Sequence, residues 1–322
     1  MRAKLARAAL KFFSPMTQQE TLAVLGRQPS TQATTPLGGF DFLQYLEKTG
    51  DLPDAMKYAN VVRQLLETMA RTGWLMIMGP SGNVMMPTTY YYLKENTAVE
   101  QKGLFTLSNA LGIDFLHSLI APNLVHLSGV NAHGDEHGGT GMLIAPNVVL
   151  TCAHVIRDMT LYPKQEVDHA ELTVKDVKSH PNIDVGLVYF DQHAAYSTYA
   201  LPCVDPQVGM DVAIFGYPKI PYAKHAPLTM QKGEVTCGEV LCFDGTRVFL
   251  FSAIARPGNS GGPILSADGR FLGIVTEDLM YKDSESPEKY FHPHFAGIPT
   301  SEVVKAISDM DASISLPVED YQ

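Results

Sequence analysis

The sequence predicts a mainly β protein, with an all-β barrel or sandwich over residues 123–322 behind a small α+β domain. Two observations carry this reading. From about residue 123, short apolar runs such as "LVHLSGV", "GTGMLIA", "DVGLVYF", "DVAIFGY", "RVFLFSA" and "FLGIVTE" alternate with Gly, Pro and Asn turns, the texture of many short strands. Before that point, apolar residues recur at helical spacing and then give way to a hairpin signal. With 45% hydrophobic and 18% charged residues, the 322-residue chain can bury a core, and its length suits about two domains.

The start, "MRAKLARAALKFFSPM", is basic, with no acid before Glu20, and its apolar runs are too short for a secretory signal. It reads as a short helix or a tail. Residues 30–39, "STQATTPLGG", read as a loop, which makes 1–36 an N-terminal basic segment and linker. Phe40, Leu43 and Leu46 then share one helical face closed by Gly50. Val61, Val62, Leu65, Leu66 and Met69 form a second face that ends at Gly73. "WLMIMGPSGNVMMPTTYYYL" places two β-like runs around "GPSGN". Helices followed by such a hairpin resemble a winged-helix domain, here over 37–122, with "GLFTLSNALGIDFLHSLIAP" as a connecting helix interrupted near Gly112. Residues 37–100 carry five basic against seven acidic side chains, whereas a DNA-gripping face is basic. The domain is therefore expected to bind a protein partner, not nucleic acid. At the other end, "SEVVKAISDM" reads as a helix with Ser301 as a candidate cap.

A net charge of −10 also argues against general nucleic-acid binding. No stretch has the length of a membrane-spanning helix. The four cysteines (Cys152, Cys203, Cys237 and Cys242) contain no CxxC pair and are too sparse for a disulfide scaffold. They suit reduced thiols in a cytoplasmic protein, with a Cys237–Cys242 bridge across a hairpin left open. "HGDEH", with His133, Asp135, Glu136 and His137, and "FHPHF", with His292 and His294, have metal-ligand residue types. The first sits where a surface loop is expected, the second is read the same way, and no metal is expected. Phosphate loops and dinucleotide fingerprints are absent from the sequence, and no cofactor is expected.

The stretch "ARPGNSGGPIL", residues 255–265, is rich in Gly and Pro and taken alone reads as a turn around Ser260. Two other segments change its meaning. "VLTCAHVI" puts His154 at the end of a β run, and "HPNIDVGLVYF" puts Asp184 at the head of an apolar strand. Amide hydrolysis by a serine needs a base to take the hydroxyl proton and a carboxylate to orient that base. Each residue is weak evidence by itself; the ordered set His, Asp, Ser is specific.

These segments resemble those of the trypsin/chymotrypsin-like serine peptidases, whose strings read TAAHC or TAAHV, DIAL or DVAL, and GDSGGP or GNSGGP. The likeness is to the high-temperature-requirement and bacterial trypsin-like branch and covers about residues 123–310. It implies a chymotrypsin-like double β-barrel, six strands in each, with the active site in the cleft between them. Ser260 is then the nucleophile, His154 the general base and Asp184 its orienter, with the N–H groups of Gly258 and Ser260 as the oxyanion hole. The resemblance also implies Ile254 as the floor of the primary specificity pocket, which favours small or medium aliphatic residues. Val275, Thr276 and Glu277 become the substrate-pairing edge, where Glu277 and Asp278 either favour basic flanking residues or are solvated edge charges. Asn259 replaces the Asp that pairs with a newly cut N-terminus, so trypsin-style activation is not expected. Cys152 does not match the family's histidine-loop disulfide. The function expected is an intracellular serine endopeptidase acting on protein substrates and controlled by its N-terminal domain. The alternative is a partner-binding scaffold on a peptidase fold with latent activity.

Overall fold

The computed structural model describes residues 1–28, 34–94, 105–194, 202–276 and 294–318. The chain divides into two compact units: Met1–Thr97 with Leu107–Phe115, and Ala98–Thr106 with Leu116–Gln322.

In the first unit, the N-terminal segment is core and not tail. α1 (Arg2–Phe12) buries Leu5, Ala6, Ala9 and Phe12 and exposes Arg2, Lys4, Arg7 and Lys11. Phe12 lies 5.1 Å from the rings of both Phe42 and Tyr45, and Phe13 lies 5.4 Å from Tyr90. A chain with this much aromatic surface at its start gains more by packing it than by leaving it solvated. α2 (Gln18–Leu25), β1 (Leu37–Gly38), α3 (Gly39–Thr49), α4 (Ala59–Arg71), β2 (Met76–Pro80) and β3 (Thr88–Tyr91) follow, with the sheet ordered β1-β3-β2. Setting residues 1–36 apart as tail and linker therefore removes two helices of this unit. Gly50, at φ 74°, ends α3 as the sequence predicts. α4 starts after the turn Ala55–Tyr58 and contains the whole predicted face from Val61 to Met69. The expected connecting helix is broken at Gly112 (φ 86°) into α5 (Ser108–Leu111) and α6 (Ile113–Ile120).

The second unit is antiparallel β throughout its named ladders. Its first sheet contains β4 (Leu124–Asn131), β5 (Glu136–Ala145), β6 (Val148–Thr151), β7 (Met159–Leu161), β8 (Lys164–Val167), β9 (Ala170–Ser179) and β10 (Gly186–Phe190). The order is β7-β4-β5-β6-β10-β9-β8, seven strands where six are implied. Short α7 (Ala153–Arg157) leaves the end of β6. The buried Gln165 side chain of β8 bridges to β4. Its Oε1 accepts the Ser128 N–H at 2.9 Å and its Nε2 donates to the Ser128 carbonyl at 2.9 Å. One carboxamide thus supplies the donor and acceptor of a missing ladder rung.

The second sheet is a closed six-stranded barrel, in order β11 (Asp211–Gly216), β12 (Thr229–Leu241), β13 (Arg247–Phe251), β16 (Phe295–Pro299), β15 (Phe271–Val275) and β14 (Pro263–Ser266). Val212, Ile214, Val235, Phe249, Phe251, Ile264 and Leu272 fill it. β14 begins inside "ARPGNSGGPIL", which the sequence reads as punctuation alone; Pro263 is tolerated as its first residue. α8 (Thr300–Met310) closes the unit. Ser301 is not its cap: Pro299 holds that position, and the Asp205 carboxylate accepts the Ser301 N–H at 2.8 Å. The two barrel-like sheets are the architecture the family resemblance implies.

Candidate active site

His154 sits in the first turn of α7, just beyond the strand end where the sequence places it, and Asp184 lies in the loop ahead of β10. His154 Nδ1 and Asp184 Oδ2 are 2.7 Å apart. The His154 main-chain N–H donates to the other carboxylate oxygen at 2.9 Å, and the Thr276 hydroxyl donates to Oδ2 at 2.6 Å. Burial by itself would raise the Asp184 carboxyl. The hydrogen bond and charge of His154, with the Thr276 hydroxyl, outweigh it and hold the group at about 2. Asp184 is therefore a carboxylate that can orient an imidazole across the neutral pH range.

Ser260 is placed by its main chain. Its carbonyl accepts the Thr140 N–H of β5 at 2.9 Å. The N–H of the next residue, Gly261, donates to the Val275 carbonyl at 2.8 Å. Gly261 has φ 81°, and a Cβ there would lie 2.2 Å from both the Thr140 carbonyl and Thr151 Oγ1, so only glycine fits. The serine turn is thereby pressed against the strand end that leads into His154.

Thr140, fully buried, is the hub of this arrangement. Its hydroxyl donates to the Gly258 carbonyl at 2.7 Å and accepts the Tyr217 N–H at 2.9 Å. The Thr151 hydroxyl donates to the Thr140 carbonyl at 2.7 Å. Gly258 has φ 100°, a conformation that favours glycine. The Pro257 carbonyl accepts the Lys219 N–H at 3.3 Å, and the Asn259 carbonyl accepts the Gly262 N–H at 2.9 Å. Because a peptide unit is planar, these bonds also fix the directions of the Gly258 and Ser260 N–H groups.

Val275, Thr276 and Ile254 need separate treatment. Val275 is not available as a substrate-pairing residue. It is buried, its N–H donates to the Gly262 carbonyl, and its carbonyl accepts from Gly261 and from the Cys152 thiol. Thr276 turns its hydroxyl to Asp184, a role that the sequence reading does not assign. Ile254 lies just after β13 and is 49% exposed, so its side chain is open to a ligand. Glu277, Asp278 and His292 lie outside the described residues.

Cys152, directly after β6, is buried, and burial followed by the Asp184 charge pushes its thiol well up. Its Sγ lies with ligand atoms of His154 and Asp184 within 4.8 Å of one another, the one metal-capable cluster among the described residues. A protonated thiol that already donates to the Val275 carbonyl at 3.1 Å is a poor metal ligand. His133, Asp135, Glu136 and His137 are exposed on and beside the β4–β5 hairpin. All four cysteines are free, so the Cys237–Cys242 bridge is not formed.

Residues 139–274 match the family model described as a trypsin-like peptidase domain. This chain carries a trypsin-like peptidase domain. An uncharacterised protein of Sinorhizobium fredii is 30% identical over 146 residues, covering 44% of this chain and 22% of that protein. The chain thus spans about a fifth of the length of that curated relative. Among solved structures, the Rv3671c protease of M. tuberculosis in its active form is 19% identical, with a TM-score of 0.49, covering 65% of this chain and 92% of that one. The HtrA-type protease AlgW with a tripeptide is 18% identical, with a TM-score of 0.49, covering 62% and 64%. The trypsin-like match spans β5 to β15 and so includes His154, Asp184 and Ser260.

Proposed function

We propose that this chain is a serine endopeptidase that cleaves protein substrates through Ser260, His154 and Asp184. The observation that carries the reading is the 2.7 Å His154–Asp184 pair beside a serine turn tied by main-chain bonds to both sheets. Asp184 holds the imidazole through Nδ1, so that Nε2 serves as the base. Ser260 Oγ attacks the scissile carbonyl, its proton passes to His154, and His154 then protonates the leaving amine. The N–H groups of Gly258 and Ser260 receive the developing oxyanion. Water repeats the sequence on the acyl-enzyme. Fluorophosphonate labelling tests this: wild type should be labelled and Ser260→Ala should not. Equal labelling of both would end the proposal. Labelling only in lysate would favour the latent, partner-activated form.

The first unit reads as a winged-helix-like module that recruits a protein partner and so controls the peptidase. Its element order, with three-stranded order β1-β3-β2, supports the winged-helix reading. Counted over the whole unit it carries ten basic against eight acidic residues, so net charge no longer excludes nucleic acid. Many of these cations are spent in ion pairs, among them Lys4–Asp51 (3.1 Å), Arg27–Asp41 (2.5 Å) and Lys57–Asp54 (2.6 Å). The wing is apolar instead: Met76, Ile77, Met78, Val84 and Met85 are all exposed, which suits a protein surface better than phosphates. The four thiols fit a reducing cytoplasm. Ile77→Glu with Val84→Glu should change labelling of the full chain in lysate. No change, or salt-sensitive duplex DNA binding by wild type, would count against the protein-partner reading.

A further inference from the structure

The loop that carries Asp184 holds one buried titratable side chain that the mechanism leaves unused. His180 follows β9 and is 7% exposed. Its Nδ1 accepts the main-chain N–H of Ile183 at 2.9 Å and of Asn182 at 3.2 Å. The His180 main-chain N–H donates to the Val185 carbonyl at 2.9 Å. The residues on both sides of Asp184 are thus tied to one histidine.

A ring nitrogen that accepts from N–H donors carries no proton, so the proton of the neutral imidazole is on Nε2. That nitrogen faces Asp309 Oδ2 at 3.4 Å, in the last turn of α8. The same end of α8 is fastened to the first sheet by Lys178 Nζ on the Met310 carbonyl (3.1 Å) and by the Tyr189 hydroxyl on Asp311 (2.8 Å). Its start is fastened to β15, where the Thr300 hydroxyl donates to the Phe271 carbonyl at 2.9 Å. β15 leads directly to Thr276, the other support of Asp184.

We infer that His180 is a positioning residue for Asp184. It gathers the N–H groups of residues 182 and 183 around its Nδ1 so that the carboxylate of the next residue meets His154, and Asp309 favours the tautomer that allows this. The opposite tautomer would aim an N–H at two N–H donors and open the loop. The inference rests on Asp184 acting as the orienter of His154.

Two substitutions separate the roles of the two ring nitrogens. In His180→Asn, Oδ1 occupies the place of Nδ1 and can still accept from residues 182 and 183. In His180→Gln, the amide reaches towards the place of Nε2 and leaves those donors unmet. The Gln variant should lose about tenfold to a hundredfold in kcat, as for other misplaced catalytic groups, with KM little changed. The Asn variant should stay close to wild type. Proton NMR supplies a readout that needs no activity: the His154 Nδ1 proton, in a short charge-assisted bond, should resonate far downfield. It should persist in the Asn variant and be lost or shifted in the Gln variant. Equal behaviour of the two variants, or a loss carried by KM alone, would overturn the inference. Should the Gln variant fail to fold, loss of the downfield proton in His180→Asn overturns it, and retention supports it. An inactive wild type whose proton signal still follows this pattern would defeat the peptidase reading while leaving the positioning role intact.

Discussion

Replacing Thr140 by valine removes one hydroxyl from the centre of the site and keeps the shape of the side chain. That hydroxyl serves two partners, the Gly258 carbonyl at 2.7 Å and the Tyr217 N–H at 2.9 Å. A buried polar group left without its partner costs about 1–3 kcal/mol. Gly258 and Tyr217 are each half-buried and can recruit some water, which puts each loss near the lower end and the total near about 2 kcal/mol. Thr140→Ser keeps both bonds and gives up one methyl, at about 1 kcal/mol. Urea unfolding of the three proteins should rank wild type, Ser, Val. Activity should separate them further, because the Gly258–Asn259 peptide, which lies between the two oxyanion donors, would be held less firmly and a donor would be misdirected part of the time. The full loss of one such donor is worth about 100-fold to 1000-fold in kcat, so Thr140→Val should fall within that limit while Thr140→Ser stays near wild type. If Thr140→Val unfolds within about 0.5 kcal/mol of wild type and turns over like the serine variant, the hydroxyl does not hold the turn.

Asp184→Asn should leave a folded protein whose peptide hydrolysis is lower by about three to four orders of magnitude, a size borrowed from the general Ser-His-Asp template; unchanged turnover would remove Asp184 from the mechanism. The same carboxylate sets an acid limit. Held at about 2 against an ordinary 3.8, it contributes about 2 kcal/mol of stability. Its depressed value means that this contribution is complete above about pH 4 and is lost as pH falls through about 2, so the stability gap between wild type and Asp184→Asn should narrow across that window. Gly261→Ala should not accumulate as folded protein, since its Cβ would meet two oxygens at 2.2 Å; a melting temperature like that of wild type would contradict the close approach. Ile254→Asp should move cleavage from aliphatic towards basic residues in a peptide-library profile, and an unchanged profile would place the specificity pocket elsewhere.

The parts of this molecule that were legible in the sequence are those with a local signature. Gly50 and Gly112 mark breaks because their φ values of 74° and 86° favour glycine, and His154, Asp184 and Ser260 are found through short strings around them. Thr140, Gln165 and His180 leave no such trace. Each is a buried polar side chain that bonds to main chain distant in sequence or folded back around it, and neither periodicity nor composition reports that. α1 was obscured by its own charges: four exposed cations hide a stripe of Leu5, Ala9 and Phe12 that has meaning only against Phe42 and Tyr45. Val275 reads as an edge because strand register is not written in one strand; its bonds to Gly261 and Gly262 turn it inward.

The order in which the site's supports occur along the chain has a consequence for synthesis. His154 and Asp184 leave the ribosome first and Ser260 follows, but the bonds that seat the serine turn and steady the carboxylate come from Val275 and Thr276. Thr276 follows β15, which needs β14 and β16 beside it, and β16 ends only at Pro299. A nascent chain therefore carries all three proposed catalytic side chains before the strands that seat them are complete. On the mechanism proposed above, this topology delays activity until β14, β15 and β16 have come together.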